Sequence, residues 1–262
     1  MRIITLLSDF GTKDGYVAQM KGVISQITDA RLIDITHDVT PHHIREAAFL
    51  LRTTVPYFTA GSIHVAVVDP GVGTARRALF ITTSKNILVG PDNGLLMPAA
   101  HLFSPFTVYE IVNKAYTNPS PSETFHGRDV FAPAAGYIAR GVAFAQIGRP
   151  ITDYVDLDFK QGENTGDVVT GKILYIDRFG NCITNIPVQI LPKALVYSKT
   201  MALVSGDRRW DVPYVASYGF VNKGELLAAV GSSGYLEIGV NQGNAAAHLG
   251  LKEDDPVQIT VH

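Results

Sequence analysis

The chain has 262 residues, 46% of them hydrophobic and 18% charged, and a formal net charge of −2. This composition is typical of a globular protein and lacks the basic excess of nucleic-acid-binding proteins. Cys182 is the single cysteine, so an internal disulfide is excluded, which suits a reducing compartment. No apolar stretch approaches the roughly 20 residues of a membrane span. The sequence therefore predicts a soluble, cytoplasmic protein with no nucleic-acid or membrane partner.

The first seventy residues alternate between strand and helix patterns. Apolar runs at 3–8, 31–36 and 63–68 predict strands. Helical spacing lies between them, first through Val17, Met20, Ile24 and Ile27, and then from Ile44 to Val55. Such alternation is typical of an α/β layer with a largely parallel sheet.

The rest of the first half predicts further elements of the same domain. A hairpin is expected over 78–89 and a strand over 107–112. Residues 116–123 are rich in Pro, Ser, Thr and Asn and predict a mobile loop. A helix is expected over 128–139, although it contains Pro133.

The pattern changes after the polar segment 153–166, which is interpreted as a linker. One short helix is predicted near 244–249, and short β-type runs recur at 171–176, 182–186, 200–204, 226–230, 235–240 and 257–261. The prediction is an α/β domain over 1–160 followed by a smaller all-β, barrel-like domain over 167–262.

Several polar residues follow predicted strands, where ligands gather in open α/β sheets. Asp9 follows the first strand, and its carboxylate suits a ribose diol, although a turn cap is an equal alternative. Asp69 follows the third strand in VVDPGVGT, a rigid loop that lacks the phosphate-binding glycine patterns. Arg76 can fold back onto Asp69, or it can be a surface residue beside a turn.

Three later segments also carry candidate residues. His126 lies between Phe and Gly, outside any regular apolar pattern, and titrates near neutrality. Asp177, Phe179 and Asn181 combine a carboxylate, an aromatic face and an amide, although a hairpin turn explains them as well. The segment 232–246 is rich in small residues that allow close backbone contact with a ligand.

A histidine-rich segment raises the question of a metal site. His37, Asp38, His42 and His43 lie close in sequence. They lack the i, i+4 histidine spacing with an intervening Glu that helix-borne metal sites use. No metal is predicted.

Seven segments resemble, in order, one family. They are SDFGTKDGYVAQMKG, DITHDVTPHHI, VVDPGVGTARR, PDNGLL, FHGRDVFAPAAGYIA, IDRFGNCITNI and SSGYLEIGVNQGNAA. The sequence is similar to the S-adenosylmethionine (SAM) hydroxide adenosyltransferases, relatives of fluorinase and chlorinase. The resemblance implies an α/β domain followed by a β-barrel, a homotrimer with ligand sites between subunits, and hydrolysis of SAM to adenosine and methionine without a cofactor.

The resemblance also implies roles for individual residues. Asp69, Arg76 and His126 match the set that positions water for attack on the ribose C5′. Asp9 matches the ribose-binding acid, and Asp177 matches the acid that meets the methionine ammonium. Phe179 and Asn181 match residues that contact the adenine. Ser232 and Ser233 match positions near the methionine carboxylate, and Glu237 and Val240 lie along the strand on the adenine side.

The chemistry fits these assignments. A sulfonium departs as a neutral thioether and needs no general acid, whereas water must be aligned and helped to lose its proton. We expect Asp69 and His126 to accept hydrogen bonds from this water molecule. Two alternatives stay open: halide-dependent adenosyl transfer, and a sensor that binds SAM or adenosine without turnover. Halide-using relatives carry a hydroxyl-bearing residue at the position of Gly127, and a bulky residue usually replaces His42.

Overall fold

The computed structural model describes residues 2–261. It divides into two compact units, the first ending at Asp158 and the second beginning at Phe159. The helices and strands of the first unit are, in order, β1 (Ile3–Ser8), α1 (Tyr16–Ile27), β2 (Arg31–Thr36), α2 (Ile44–Thr54), β3 (Ile63–Val67), β4 (Ala78–Thr82), β5 (Ile87–Pro91), α3 (Met97–His101), β6 (Thr107–Ile111), α4 (Ala132–Ala139), α5 (Phe144–Ile147) and β7 (Gly148–Ile151).

These strands form one seven-stranded sheet in the order β2-β1-β3-β5-β4-β6-β7. The first four strands of that order pair in parallel, and β4, β6 and β7 complete the sheet in antiparallel pairs. The α/β prediction is confirmed, and the sheet is mixed because the hairpin β4–β5 turns the chain back. The parallel half brings the ends of β1 and β3 to the same edge.

Both faces of this sheet are covered, as the apolar strands predict. Leu6 and Val65 pack toward α1 and α4, while Leu7 and Ala66 pack toward α2 and α3. Alternate strand residues point to opposite faces, so each strand contributes to both cores. Burial of a side chain such as Leu6, which is fully buried, stabilises the fold by about 2 kcal/mol.

The helix predicted over 128–139 is divided into two parts. A π-helical turn spans Gly127–Phe131, and α4 follows it. Pro133 therefore lies in the first turn of α4, directly after the π-helical turn, the part of a helix where proline is best tolerated. His126 immediately precedes the π turn, a local geometry that often occurs at functional sites.

The second unit is an antiparallel β structure. Its elements are β8 (Glu163–Asn164), β9 (Val168–Ile176), β10 (Cys182–Pro187), β11 (Thr200–Ser205), β12 (Arg208–Pro213), β13 (Leu226–Val230), β14 (Tyr235–Val240), α6 (Ala245–Leu249) and β15 (Pro256–Val261). The main strands follow the order β12-β11-β15-β9-β10-β14-β13. A bridge between Tyr214 and Ala228 joins the two ends of this order, so the sheet nearly closes into the predicted barrel. The segment interpreted as a linker contains β8, which pairs with β9.

No helix within residues 2–261 combines the length and apolarity that crossing a membrane requires.

Candidate functional site

A cavity of about 290 Å³ opens in the first unit at the ends of β1 and β3. Strand β1 ends just before Asp9, and β3 ends two residues before Asp69. Four separate segments line the cavity. They are Asp9, Phe10 and Tyr16; Pro41 and His42; Val67, Asp69 and Val72; and Thr124, Phe125, His126 and Gly127. The sheet topology thus brings together side chains that are far apart in sequence.

Arg76 connects two of the predicted residues behind this cavity. Its Nε donates to Oδ1 of Asp69 at 3.1 Å, and its Nη2 donates to Oδ2 of the same carboxylate. Nη2 also lies 3.0 Å from Nδ1 of His126. The Arg76 side chain is 8% exposed and that of Asp69 is 5% exposed, so the ion pair is largely shielded from water. A bidentate, buried pair of this kind fixes both partners in orientation.

The contact with Arg76 decides which tautomer of His126 is present. Arginine has only donors, so Nδ1 of His126 must accept, and the neutral ring carries its proton on Nε2. Burial, and then the charge of Arg76, lower the pKa of His126 below its ordinary value. His126 is therefore neutral at physiological pH and presents an N–H donor. This corrects the expectation that His126 accepts a hydrogen bond from water.

The loop around Asp69 makes a close contact with the far wall. Gly73 has a φ of +74°, and a Cβ there would lie 2.4 Å from the carbonyl oxygen of Glu123. Only glycine allows this backbone approach. Asn93, from the PDNGLL segment, donates to the carbonyl of Val68 at 2.9 Å and holds the backbone just before Asp69.

The segment predicted to be a mobile loop is tied down by the buried carboxylate of Asp129. Its oxygens accept from Nδ2 of Asn118 at 2.9 Å and from the backbone N–H of Ser122 at 2.8 Å. Arg128 donates to both oxygens. Burial by itself would raise the pKa of Asp129, but these hydrogen bonds together outweigh it and lower the pKa to about 2. Asp129 thus fixes the wall that carries Thr124 and Phe125.

Asp9 reaches the same cavity from the end of β1. Its Oδ2 accepts the backbone N–H of His42 at 2.9 Å, which leaves Oδ1 for other partners. His42 has a φ of +68°, a conformation that costs energy for a residue with a side chain. The other histidines of this segment have separate partners: His37 contacts Ser8, and His43 contacts Glu46. Among residues 2–261, no group of three or more His, Cys, Asp and Glu side chains is placed to hold a metal ion.

The second unit has its own cavity, of about 640 Å³. It includes three of the predicted residues, Phe179, Asn181 and Val240, together with Tyr218, Asn241, Gln242, Gly243 and Asn244, which sequence reasoning had not assigned a role. Phe179 is 74% exposed, which is unusual for an aromatic side chain and suits stacking against a planar ligand.

Asp177 organises the turn that carries these residues. Its Oδ1 accepts the backbone N–H groups of Phe179 and Asn181, and its Oδ2 accepts Nδ2 of Asn181, all at 2.9 Å. Gly180, with a φ of +82°, packs against the side chain of Asn244. Asp177 thus lies beside the cavity and holds two of its residues in place.

The remaining predicted residues lie outside the cavity lining. Ser232 and Ser233 belong to the turn between β13 and β14. Glu237 is on β14 and accepts a hydrogen bond from the hydroxyl of Tyr218. Burial, and then the charge of Asp177, raise the pKa of Glu237. Glu237 therefore supports a cavity residue rather than facing the cavity itself.

Comparison with known proteins identifies the family. The model of the SAM hydroxide adenosyltransferase N-terminal domain matches residues 4–148, and that of the C-terminal domain matches residues 171–258. The chain belongs to the SAM hydroxide adenosyltransferase family.

Similar proteins cover almost the whole chain. An (R)-S-adenosyl-L-methionine hydrolase from Thermus thermophilus is 38% identical over 99% of this chain and 100% of its own length. Another (R)-S-adenosyl-L-methionine hydrolase, from Salinispora tropica, is 37% identical over 98% of this chain and 97% of its own length. A fluorinase from an Actinoplanes species is 27% identical over 98% of this chain and 97% of its own length. The crystal structure of an uncharacterized conserved protein from Thermotoga maritima superposes with a TM-score of 0.94, at 35% identity, and covers 98% of this chain and 100% of that one.

Proposed function

We propose that this protein hydrolyses SAM to adenosine and L-methionine by attack of water or hydroxide on the ribose C5′. The observation that carries the proposal is the hydrogen-bonded set Asp69–Arg76–His126 beside the first cavity. Relatives named as (R)-SAM hydrolases are 35–38% identical to the chain, whereas the Actinoplanes fluorinase is 27% identical.

The set offers one acceptor and one donor to a water molecule. Nε2–H of His126 donates to the water oxygen, and the carboxylate of Asp69 accepts one of its hydrogens. Nε2 makes no hydrogen bond within residues 2–261, and His126 lines the cavity, so this donor is available there. Fixed donors and acceptors of this kind orient a nucleophile without reorganisation during the reaction.

The proposed step is a substitution at C5′. The water oxygen forms a bond to C5′ while the bond between C5′ and sulfur breaks, and its electron pair stays on sulfur as the neutral thioether of methionine. The attacking oxygen becomes acidic as its bond to carbon forms, and its proton passes to Asp69 and then to solvent. Since the leaving group is neutral and the nucleophile is water, we propose that no metal or organic cofactor takes part.

We propose that the remaining residues hold the substrate. Asp9 binds the ribose hydroxyls through its free Oδ1. Phe179, Asn181 and Val240 contact the adenine, and Asp177 meets the methionine ammonium while it orders their turn. Ser232 and Ser233 contact the methionine carboxylate. Glu237 accepts a hydrogen bond from Tyr218 and in this way holds Tyr218 in place on the adenine side.

We also propose that the protein is a cytoplasmic homotrimer whose ligand sites lie between subunits. The proposal rests on the family resemblance. Light scattering on the purified chain tests it. A mass near three times 28.3 kDa is expected, and a mass near 28.3 kDa would contradict it.

Halide-dependent adenosyl transfer is the second enzymatic candidate. A halide must exchange its hydration shell for a small, weakly polar pocket. Here Asp69 and His126 line the cavity, and a carboxylate repels an anion. Gly127 occupies the position where halide-using relatives carry a hydroxyl. These features favour water as the nucleophile.

The test is a chromatographic assay with SAM in chloride-free buffer, beside the variant Asp69→Ala. Adenosine and methionine are expected from the parent protein, with strongly reduced amounts from the variant. Halogenated nucleoside that forms only after chloride is added would favour the halide reaction. Intact SAM after long incubation with stoichiometric protein, both without chloride and after its addition, would contradict both reactions and favour a sensor.

A further inference from the structure

A chain of four side chains runs from the surface of the first unit to the end of β1. Lys21 Nζ lies 2.6 Å from Oδ2 of Asp34, and Oδ1 of Asp34 lies 3.1 Å from Nε2 of His37. The opposite ring nitrogen, Nδ1 of His37, lies 2.7 Å from Oγ of Ser8. Ser8 is 1% exposed and His37 is 5% exposed, so the inner half of this chain is buried.

Ser8, His37 and Asp34 have the order of a hydrolytic triad, but their environment excludes that role. A nucleophilic serine must face a substrate. Oγ of Ser8 is enclosed and accepts the backbone N–H of Phe10 at 3.3 Å. Nε2 of His37 makes no regular hydrogen bond to Asp34, although the two atoms lie 3.1 Å apart. The group therefore needs another explanation.

Asp9 lies in a turn, and His37 makes hydrogen bonds to both ends of that turn. Its side chain binds Ser8, the residue before Asp9, and its carbonyl oxygen accepts the backbone N–H of Gly11 at 2.8 Å. Gly11, with a φ of +67°, allows the backbone to reverse there. Asp9 lies between these two anchors, and its carboxylate projects into the first cavity.

We propose that His37 is a positioning residue for Asp9, acting through Ser8 and the turn 8–11. The negative charge of Asp34, 3.1 Å from Nε2 of His37, favours the tautomer with its proton on Nε2, so that Nδ1 accepts the hydroxyl of Ser8. Lys21 holds Asp34 in place. The fixed turn places Oδ1 of Asp9 where a ribose diol binds. The inference rests on the proposed binding of the adenosyl group, yet it is tested by nucleoside binding without turnover.

The test compares the dissociation constants of adenosine and 2′-deoxyadenosine by calorimetry on the full chain. The parent protein is expected to bind adenosine roughly tenfold more tightly, because a charged carboxylate accepts the 2′-hydroxyl. The ratio is expected to fall toward 1 in Asp9→Asn and in His37→Leu. In His37→Asn the amide oxygen can still accept a hydrogen bond from the hydroxyl of Ser8, so this variant should keep most of the parent's preference for adenosine.

Two further variants separate positioning from folding. Ser8→Ala removes the same hydrogen bond with a smaller loss of volume and should also lower the ratio. His101→Leu removes an exposed histidine that pairs with Asp156 at 3.0 Å, and should keep the parent ratio. Far-ultraviolet circular dichroism confirms that each variant is folded.

The double variant Asp9→Asn/His37→Leu gives the decisive comparison. If His37 acts through Asp9, the double variant shows no greater loss of discrimination than Asp9→Asn alone. Additive losses, an unchanged ratio in both His37→Leu and Ser8→Ala, or a parent that does not distinguish the two nucleosides would overturn the inference. A parent that distinguishes them but leaves SAM intact would instead overturn the proposed hydrolysis.

Discussion

Nη2 of Arg76 lies 3.0 Å from Nδ1 of His126, while the same guanidinium binds both carboxylate oxygens of Asp69. Arg76 thus fixes both the acceptor and the donor of the proposed water site. The planar, delocalised arginine side chain can hold two partners at fixed angles, which a lysine ammonium cannot do.

Replacement of Arg76 by Lys is therefore expected to lower kcat for SAM hydrolysis by roughly 10²–10³-fold, with a smaller change in KM. Arg77→Lys is the matched control, since Arg77 binds Asp92 and Asp153 away from the set. Steady-state kinetics should show a large loss in kcat for the first variant only. Equal losses in both variants would contradict the assigned role of Arg76.

The lowered pKa of His126 predicts how activity depends on pH. The neutral ring accepts from Arg76, and protonation would break that contact and place two cations together. Activity is thus expected to be constant near neutrality and to fall as pH decreases through a pKa below the ordinary value of about 6.5. In His126→Asn, whose amide oxygen still accepts from Arg76, this acidic limb should disappear. Its persistence in the variant would assign it to another group.

Gly73 provides a test of the contact between the Asp69 loop and the wall around Glu123. Gly73→Ala and Gly141→Ala share the cost of a positive φ, about 1 kcal/mol, because the two angles are +74° and +87°. Only the first adds a clash, since a Cβ at position 141 meets nothing within 4 Å. Gly73→Ala should lose more stability in urea denaturation, and it alone should lose activity. Similar activities in both variants would show that the close approach is dispensable.

His64 is expected to make stability depend on pH. It is buried between Thr5, 2.8 Å from Nδ1, and Asn86, 3.1 Å from Nε2. Burial, and then the charge of Lys85, lower its pKa from 6.5 to about 4. The unfolded chain therefore binds the proton first as pH falls, and stability is lost between pH 6.5 and pH 4, by about 3 kcal/mol.

Urea denaturation of the parent and of His64→Gln across that range measures the effect. The variant is less stable at neutral pH, because it disrupts a buried polar network, but its stability should change less with pH. Parallel pH profiles would show that other groups cause the dependence.

Replacement of Tyr218 tests whether the cavity of the second unit binds SAM. Tyr218→Phe keeps the ring but removes the hydroxyl that donates to Glu237, a half-buried carboxyl whose pKa is raised. The KM for SAM should rise several-fold, roughly up to tenfold, with little change in kcat, since Tyr218 is not part of the water-orienting set. Tyr57→Phe, at a side chain that is 80% exposed, is the control. A loss confined to kcat would contradict a role in binding.

Strong periodicity explains why much of the fold was predictable from sequence. The alternation of β1, α1, β2, α2 and β3 shows in the apolar residues that the structure buries. Strand β12 was not predicted, because Arg208, Arg209 and Asp211 make it read as a polar segment. In the structure these three residues are exposed, and β12 lies at one end of the sheet order, where charged side chains are tolerated.

The candidate site was predictable in its residues but only partly in its geometry. A carboxylate after β3 and a histidine outside any apolar pattern carry recognisable signals. The direction of the hydrogen bond at His126 depends on a contact with Arg76, fifty positions away in sequence, and no local pattern encodes it. Tyr218 was missed because an isolated tyrosine in a loop resembles any other until the fold places it beside Asn181.

The proposed hydrolysis requires that an oxygen of water attacks C5′ of SAM. The most direct measurement is mass spectrometry of the nucleoside formed in ¹⁸O-labelled water. Hydrolysis by this route gives adenosine with one ¹⁸O atom, at the 5′ position, and unlabelled methionine. Unlabelled adenosine, or a 5′-thio or 5′-halo nucleoside in its place, would contradict it.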